Sequence, residues 1–214
     1  RPSSQTALRP ARRLSFRASA MLLTPREMPF SAISRGVSLY HSKMVDLHCS
    51  EKKEPKVAHI IALFICPNAG QPMQYVTSVE AVKGAGLVGD RYAGNRGAYS
   101  HPKPKKIRHV TFIASDRIEM ANIELKIQGL APFKPSETRR NIITSGIELN
   151  GLVGKEFSVG PVRMRGVELA DPCHRPSALA KKKGFKEAFA GRGGLRAEVL
   201  SDGIINIGDD IRAM

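Results

Sequence analysis

From residue 57 onward, apolar positions come in short bursts, each ended by a glycine-rich or polar turn. VAHIIALFI (57–65) is β-branched and nearly continuous, the pattern of a buried strand, whereas YVTSVEAV (75–82) alternates with period two. IRHVTFIA (107–114) predicts another strand. It runs into SDRIEMANIEL (115–125), where Ile118, Ala121 and Leu125 recur at helical spacing behind a Ser115 cap. NIITSGI (141–147) returns to strand. KEFSV and VRMRGVEL flank Gly160–Pro161 as a hairpin, with Val162 and Met164 on one face and Arg163 and Arg165 on the other. At Gly166 the alternation slips by one and Val167 and Leu169 carry on the apolar face, as a glycine bulge would arrange. PSALAKKKGFKEAFAG (176–191) reads as one or two short helices broken at Gly184; LRAEVL (195–200) and IINIGDDI (204–211) close the pattern as strands around SDG. The predicted fold is mainly β with minor helices, its strands closed or partly closed into a β-barrel that removes exposed sheet edges. No internal repeat is present.

The first 55 residues lack this patterning. RPSSQTALRPARRLSFRASAMLL is rich in Arg and Ser, and residues 1–43 hold eight Lys/Arg against the single acid Glu27. Two readings stand: a segment resembling an organelle transit peptide, or a disordered extension. EKKEPK (51–56) serves as linker. Residues 1–55 are therefore set apart from a globular domain at 56–214. Its compartment is expected to be reducing: cytoplasmic, or mitochondrial or plastid if the basic segment is a transit peptide.

The whole chain carries a formal charge of +15, and residues 44–214 keep +8 of it, with 26 basic and 18 acidic side chains. That favours anionic partners. Nucleic acid is disfavoured, because Trp is absent, aromatics are few, and no zinc-finger or helix-turn-helix spacing occurs. No apolar run approaches the ~20 residues that span a bilayer. Cys49, Cys66 and Cys173 cannot form a complete disulfide set, and no C-x-x-C is present to bind zinc or an iron–sulfur cluster.

Four motifs carry candidate chemistry. GAGLVG (84–89) matches G-x-G-x-x-G, but DRYAGNRGAYSHPKPKK follows where a dinucleotide site needs a helix; the glycines instead predict a tight loop presenting Asp90 and Arg91. TRRNI (138–142) places Arg139, Arg140 and Asn141 ahead of a strand, as planar forks suited to phosphate oxygens and an amide that reads a heterocycle edge or holds the loop, or as a solvated basic turn with an Asx-type local bond. GRGGLRAEV (191–199) offers backbone N–H groups with Arg192 and Arg196 nearby, a weak anion nest. DPCHRP is the strongest signal. Pro172 and Pro176 stiffen the backbone around Cys173 at a strand end, and His174 and Arg175 supply charge that favours a thiolate, opposed by Asp171. Such a thiolate can attack, carry sulfur or bind a soft metal. Cys66, inside LFICP, reads as a buried structural thiol.

Taken in order, GLVGDRY, RHVTFIA, TRRNIITSGIELNGLVGKEFSVG, VELADPCHRP and GRGGLRAEVLSDGIINIGDDI resemble the MOSC domain, the module named from the C-terminal part of molybdenum cofactor sulfurases. The resemblance spans roughly residues 57–212 and is nearest to stand-alone, bacterial-type members. It implies a β-barrel with small helices that binds the molybdenum cofactor, a molybdopterin with a phosphate tail. Cys173 aligns with the family's single cysteine, regarded as the molybdenum ligand and catalytic group, or as a sulfur carrier in sulfurases. Arg139, Arg140 and Asn141 match the basic strand-start motif; Asp90 and Arg91 match a G-D-R loop, and Gly194 and Arg196 a late glycine-rich loop. The first three would hold the phosphate or pterin; for the other four, cofactor binding is inferred from their chemistry, which makes seven candidate cofactor-binding residues.

The implied activity is molybdenum-dependent oxidoreduction, in which N-hydroxylated compounds such as hydroxylaminopurines or amidoximes lose the oxygen of the N–O bond. Three cysteines cannot build a ferredoxin-like extension, so a separate electron-transfer protein is the expected partner. PLP belongs to the family through a fused aminotransferase-like domain and is not expected to be bound here. Two alternatives stay open: a carrier using Cys173 as a persulfide, and a basic nucleic-acid binder.

Overall fold

The computed structural model describes residues 57–100 and 106–214; the reading of residues 1–55 lies outside them. Eleven strands and three short helices follow in order: β1 (His59–Ile65), β2 (Gln74–Val76), β3 (Ser78–Val82), β4 (Gly86–Leu87), β5 (Val110–Ala114), α1 (Ser115–Ile127), β6 (Ile142–Ser145), β7 (Glu156–Val159), β8 (Val162–Leu169), α2 (Arg175–Ala180), α3 (Phe185–Ala188), β9 (Leu195–Val199), β10 (Gly203–Asn206) and β11 (Ile211–Ala213). Eight form one sheet in the order β11-β7-β8-β9-β5-β6-β1-β2, and β10-β3-β4 form a second. The large sheet curls on itself. His59 bridges Asp210, and Ile60 N–H donates to the Asp209 carbonyl at 3.0 Å, so β1 meets the segment leading into β11 at the opposite edge. The result is a partly closed β-barrel, as the strand pattern predicts.

Alternation sorts side chains to two cores. Val110, Phe112 and Ala114 of β5, with Leu195 and Ala197 of β9, point into the barrel, where Phe112 meets Phe157 edge-on at 5.7 Å. Ile113 and Ile143 point outward, under a layer built on Ile118, Ala121 and Leu125 of α1 and Phe185 and Phe189 around α3. Non-polar burial on both faces of β5 and β6 explains their near-continuous apolar text. These two strands pair in parallel, and α1 is part of their crossover.

Several local expectations change. Ser115 is the first helical residue of α1; Ala114 is the N-cap and gives no side-chain bond. The run 75–82 divides at Thr77, because β2 pairs with β1 whereas β3 pairs with β10. The run 204–211 likewise divides, β10 joining the small sheet and β11 pairing with β7. The Gly160–Pro161 hairpin and the break at Gly184 (φ +87) form as predicted.

The bulge at Gly166 also forms, seen as a register shift between Gly166 and Glu168 against β9. A Cβ there would lie 2.1 Å from the Leu152 carbonyl oxygen, so only glycine fits. Its consequence is twofold. Leu169 falls opposite the inward-facing Leu195 yet is 37% exposed, so the apolar face ends at the barrel mouth. Glu168 is brought opposite Arg196 on the outer face.

Candidate active site

Beyond the helical layer, the outer face of the sheet opens into a solvent-open cleft that encloses about 80 Å3. Thr111 of β5 and Arg196 of β9, cross-strand partners, form part of its wall. The segment after β8 supplies Asp171 and Cys173; the turn before β6 supplies Arg139 and Arg140; the loop after β4 supplies Arg91. Cys173 is exposed. Six guanidiniums line the same cleft as its sulfur: Arg91, Arg108, Arg139, Arg140, Arg175 and Arg196.

Two of these are neutralised. Arg91 pairs with Asp90 at 3.2 Å. Arg196 pairs with Glu168, which also accepts from Lys106 at 2.6 Å. Among the described residues, none of Arg108, Arg139, Arg140 and Arg175 makes a salt bridge. Arg108 stacks over Tyr99 at 4.7 Å and Arg91 over Tyr92 at 4.9 Å, so two aromatic rings also face the cleft.

Arg140 is the most constrained. Its Nε donates to the Gly193 carbonyl and Nη2 to the Ala170 carbonyl, both at 2.7 Å, and Nη1 reaches Thr138 at 3.4 Å. Burial, followed by the charge of Arg196, lowers its pKa to about 10, so it is still a cation at neutral pH. A buried cation held by carbonyls alone leaves the cleft short of negative charge. Arg139 adopts a left-handed backbone (φ +65). It donates to the Gln71 carbonyl and, from Nη2, to Cys66 Sγ at 3.3 Å. Burial, with the nearby Arg91 charge, holds its pKa below the usual guanidinium value, while the bond to Cys66 opposes this.

Asp90 and Asn141 stand behind the wall, each 1% exposed. Asp90 Oδ2 accepts from Cys66 N–H (3.1 Å), Asn141 Nδ2 (3.0 Å) and Arg91 Nη1 (3.2 Å). Asn141 Oδ1 accepts from the N–H and hydroxyl of Thr111, and Nδ2 also donates to the Phe64 carbonyl. Its amide is thus spent inside the protein, binding β1, β5 and β6 together beneath the cleft. Gly194 (φ +95) is used for close approach: a Cβ would lie 1.9 Å from the Phe112 carbonyl oxygen, and its own carbonyl accepts from Ala170 N–H at 2.8 Å. The 191–194 loop therefore turns carbonyls toward Arg140 and Ala170. Arg192 pairs with Glu124 of α1 at 2.8 Å and does not line the cleft.

The structure thus brings Cys173, Arg91, Arg139, Arg140 and Arg196 to one cleft and buries Asp90 and Asn141 behind its lining, with Gly194 in the adjoining loop. His174 caps α2 and is not part of the lining. Sequence reasoning missed Arg108, Tyr92 and Tyr99. Arg108, two positions ahead of β5, heads the RHVTFIA motif, but its pattern gives a strand and no role for the guanidinium. GAGLVG enters β4 and turns with no helix behind it, as its context predicts. No helix among the described residues is long and apolar enough to cross a membrane, and they contain no cluster of three or more His, Cys, Asp or Glu placed to hold a metal ion.

Solved structures share this architecture. YuaD from Bacillus subtilis superposes with a TM-score of 0.61 at 17% identity, covering 73% of this chain and 95% of its own. YiiM from Geobacillus stearothermophilus gives 0.53 at 14% identity, over 73% and 75% of the two chains, and YiiM from Escherichia coli gives 0.52 at 14%, over 73% and 68%. At such identities the likeness concerns the fold. No curated protein matches the sequence. The family description "MOSC domain" matches residues 101–212, more than half of the chain. These residues include the Arg139–Arg140 turn, the Cys173 segment and the strands that carry them, and the chain belongs to the MOSC domain family.

Proposed function

We propose that the chain binds the molybdenum cofactor in the cleft and reduces N-hydroxylated compounds there, with Cys173 as the protein's ligand to the metal. The observation that carries this reading is an exposed soft donor sharing one cleft with four arginines that no described carboxylate neutralises. Even with Asp90, Glu168 and Asp171 set against the six guanidiniums, three positive charges remain, a match for a phosphorylated, anionic guest. The residues therefore fit the group.

Arg139 and Arg175 would hold its anionic end, Tyr92 and Tyr99 would border its planar ring, and Cys173 would ligate through sulfur. When bound, the cofactor supplies a two-electron centre able to take up the oxygen of an N–O bond. The chain's own residues fix geometry and charge. Arg140 clamps the carbonyl of Ala170, three residues before Cys173, and the positive lining would offset the charge of an anionic guest. A separate electron-transfer protein would return the electrons.

Protein produced in a cofactor-making host should contain molybdenum and pterin, and Cys173→Ser should remain folded while losing N-hydroxylamine reduction. Parental turnover by a metal-loaded Cys173→Ser protein would overturn the assignment. Metal and pterin without any N–O reduction would leave the cofactor-carrier reading in its place.

A further inference from the structure

We infer that Cys66 is a positioning residue that holds Arg139 in the cleft wall. The inference rests on the cleft being an anion site, as in the function proposed above. Cys66 follows β1 and is fully buried, in the second apolar core, where its sequence context alone marks it as packing. Its polar contacts go further. The thiol lies 3.0 Å from the Asn68 carbonyl and 3.3 Å from the Gln71 carbonyl, so S–H has acceptors on the 68–71 turn. With the hydrogen directed there, the sulfur lone pairs are left to accept Nη2–H of Arg139 at 3.3 Å. The same Gln71 carbonyl accepts Nη1 of Arg139, closing a ring of thiol, carbonyl and guanidinium.

The rest of Cys66 is engaged with the neighbouring arginine. Its N–H donates to Asp90, the partner of Arg91, and its carbonyl accepts from Arg91 N–H at 2.7 Å. One residue therefore registers two of the six guanidiniums against each other. They repel: the charge of Arg91 contributes to lowering the pKa of Arg139, whose backbone is also held in the left-handed region at φ +65. A guanidinium placed against such opposition needs acceptors to keep it there, and no described carboxylate provides one. Sulfur is a weak, polarisable acceptor. It orients Arg139 without cancelling the charge that an anion would meet, whereas a carboxylate would do both.

The test is binding of inorganic pyrophosphate at low salt, a probe that reads the cationic cleft whether or not cofactor is present. Cys66→Ala should weaken binding about three- to ten-fold, and Cys66→Ser, which keeps an acceptor, should stay within about two-fold of the parent. In an Arg139→Ala background the Cys66→Ala change should alter affinity by less than about two-fold, because its effect runs through that guanidinium. Cys66→Val, which fills the volume without an acceptor, takes the place of Cys66→Ala if the latter does not fold. Additive losses, a Ser variant as weak as Ala, or a parent that binds no pyrophosphate would overturn the inference. Molybdenum content of the parent is measured in parallel. Coupling without metal leaves Cys66 in its role and removes the cofactor proposal; metal without coupling does the reverse.

Discussion

Arg140 Nη2 donates to the carbonyl of Ala170 at 2.7 Å, and so fastens the start of β6 to the chain three residues before Cys173. Nε of the same side chain holds Gly193 ahead of β9. The cysteine loop is thus located by a buried cation as well as by its prolines. Arg140→Met should leave the Ala170 and Gly193 carbonyls without this donor and lower stability by about 1–3 kcal/mol, read from urea unfolding. Labelling of Cys173 by a thiol reagent should quicken under native conditions. An unchanged labelling rate would show that the prolines alone fix the loop.

Asp90 gathers three donors from three segments on one oxygen. Asp90→Asn removes the charge opposite the buried Arg91 and sets an amide where an acceptor is needed. A loss of about 3–5 kcal/mol is expected, the scale for breaking a buried pair on one side. Denaturant midpoints of the single variant and of Asp90→Asn combined with Arg91→Met will show it, the double variant being the less damaged relative to the sum.

Glycines of the domain differ sharply in what they tolerate. Gly194→Ala, with φ +95 and a Cβ 1.9 Å from a carbonyl oxygen, should lower stability by about 3 kcal/mol or more. Gly151→Ala, where a Cβ would meet nothing within 4 Å, should be close to neutral. Thermal unfolding of the two proteins is a direct comparison.

His109 Nδ1 accepts Val199 N–H at 3.2 Å, which requires the neutral ring. Burial lowers its pKa below 6.5, with Glu198 pulling the other way. Because the folded value lies below the unfolded one, its stabilisation is complete above about pH 6.5 and is lost as pH falls through the folded value. His109→Gln should flatten the stability–pH profile in that window. A variant with the parent's slope would assign the acid sensitivity to other groups.

Particular residues show where sequence reasoning reached and where it stopped. Alternation in VRMRGVEL located the hairpin, its inner face and the Gly166 bulge, because period and glycine are local properties. IINIGDDI reads as one strand but serves two sheets: Gly208 N–H donates to the Ile60 carbonyl and turns the chain from β10 toward β11. Ile60 lies about 150 residues from Gly208 in sequence, a separation no local pattern encodes. In the sequence, Asn141 offers an amide for a heterocycle edge or for holding its own loop. Only its surroundings reveal that both ends of that amide are already bonded to Thr111, Phe64 and Asp90.

The sequence by itself determined the strand periodicity, the mainly β class, the position of Cys173 on a proline-flanked corner and the surplus of positive charge, since each follows from composition or from neighbours along the chain. Tertiary structure alone decided which arginines share the cleft, which are cancelled by Asp90 or Glu168, and which polar groups stay hidden below it. Charge and hydrogen-bonding capacity belong to a residue, but whether they are spent depends on what folding brings within about 3 Å of it.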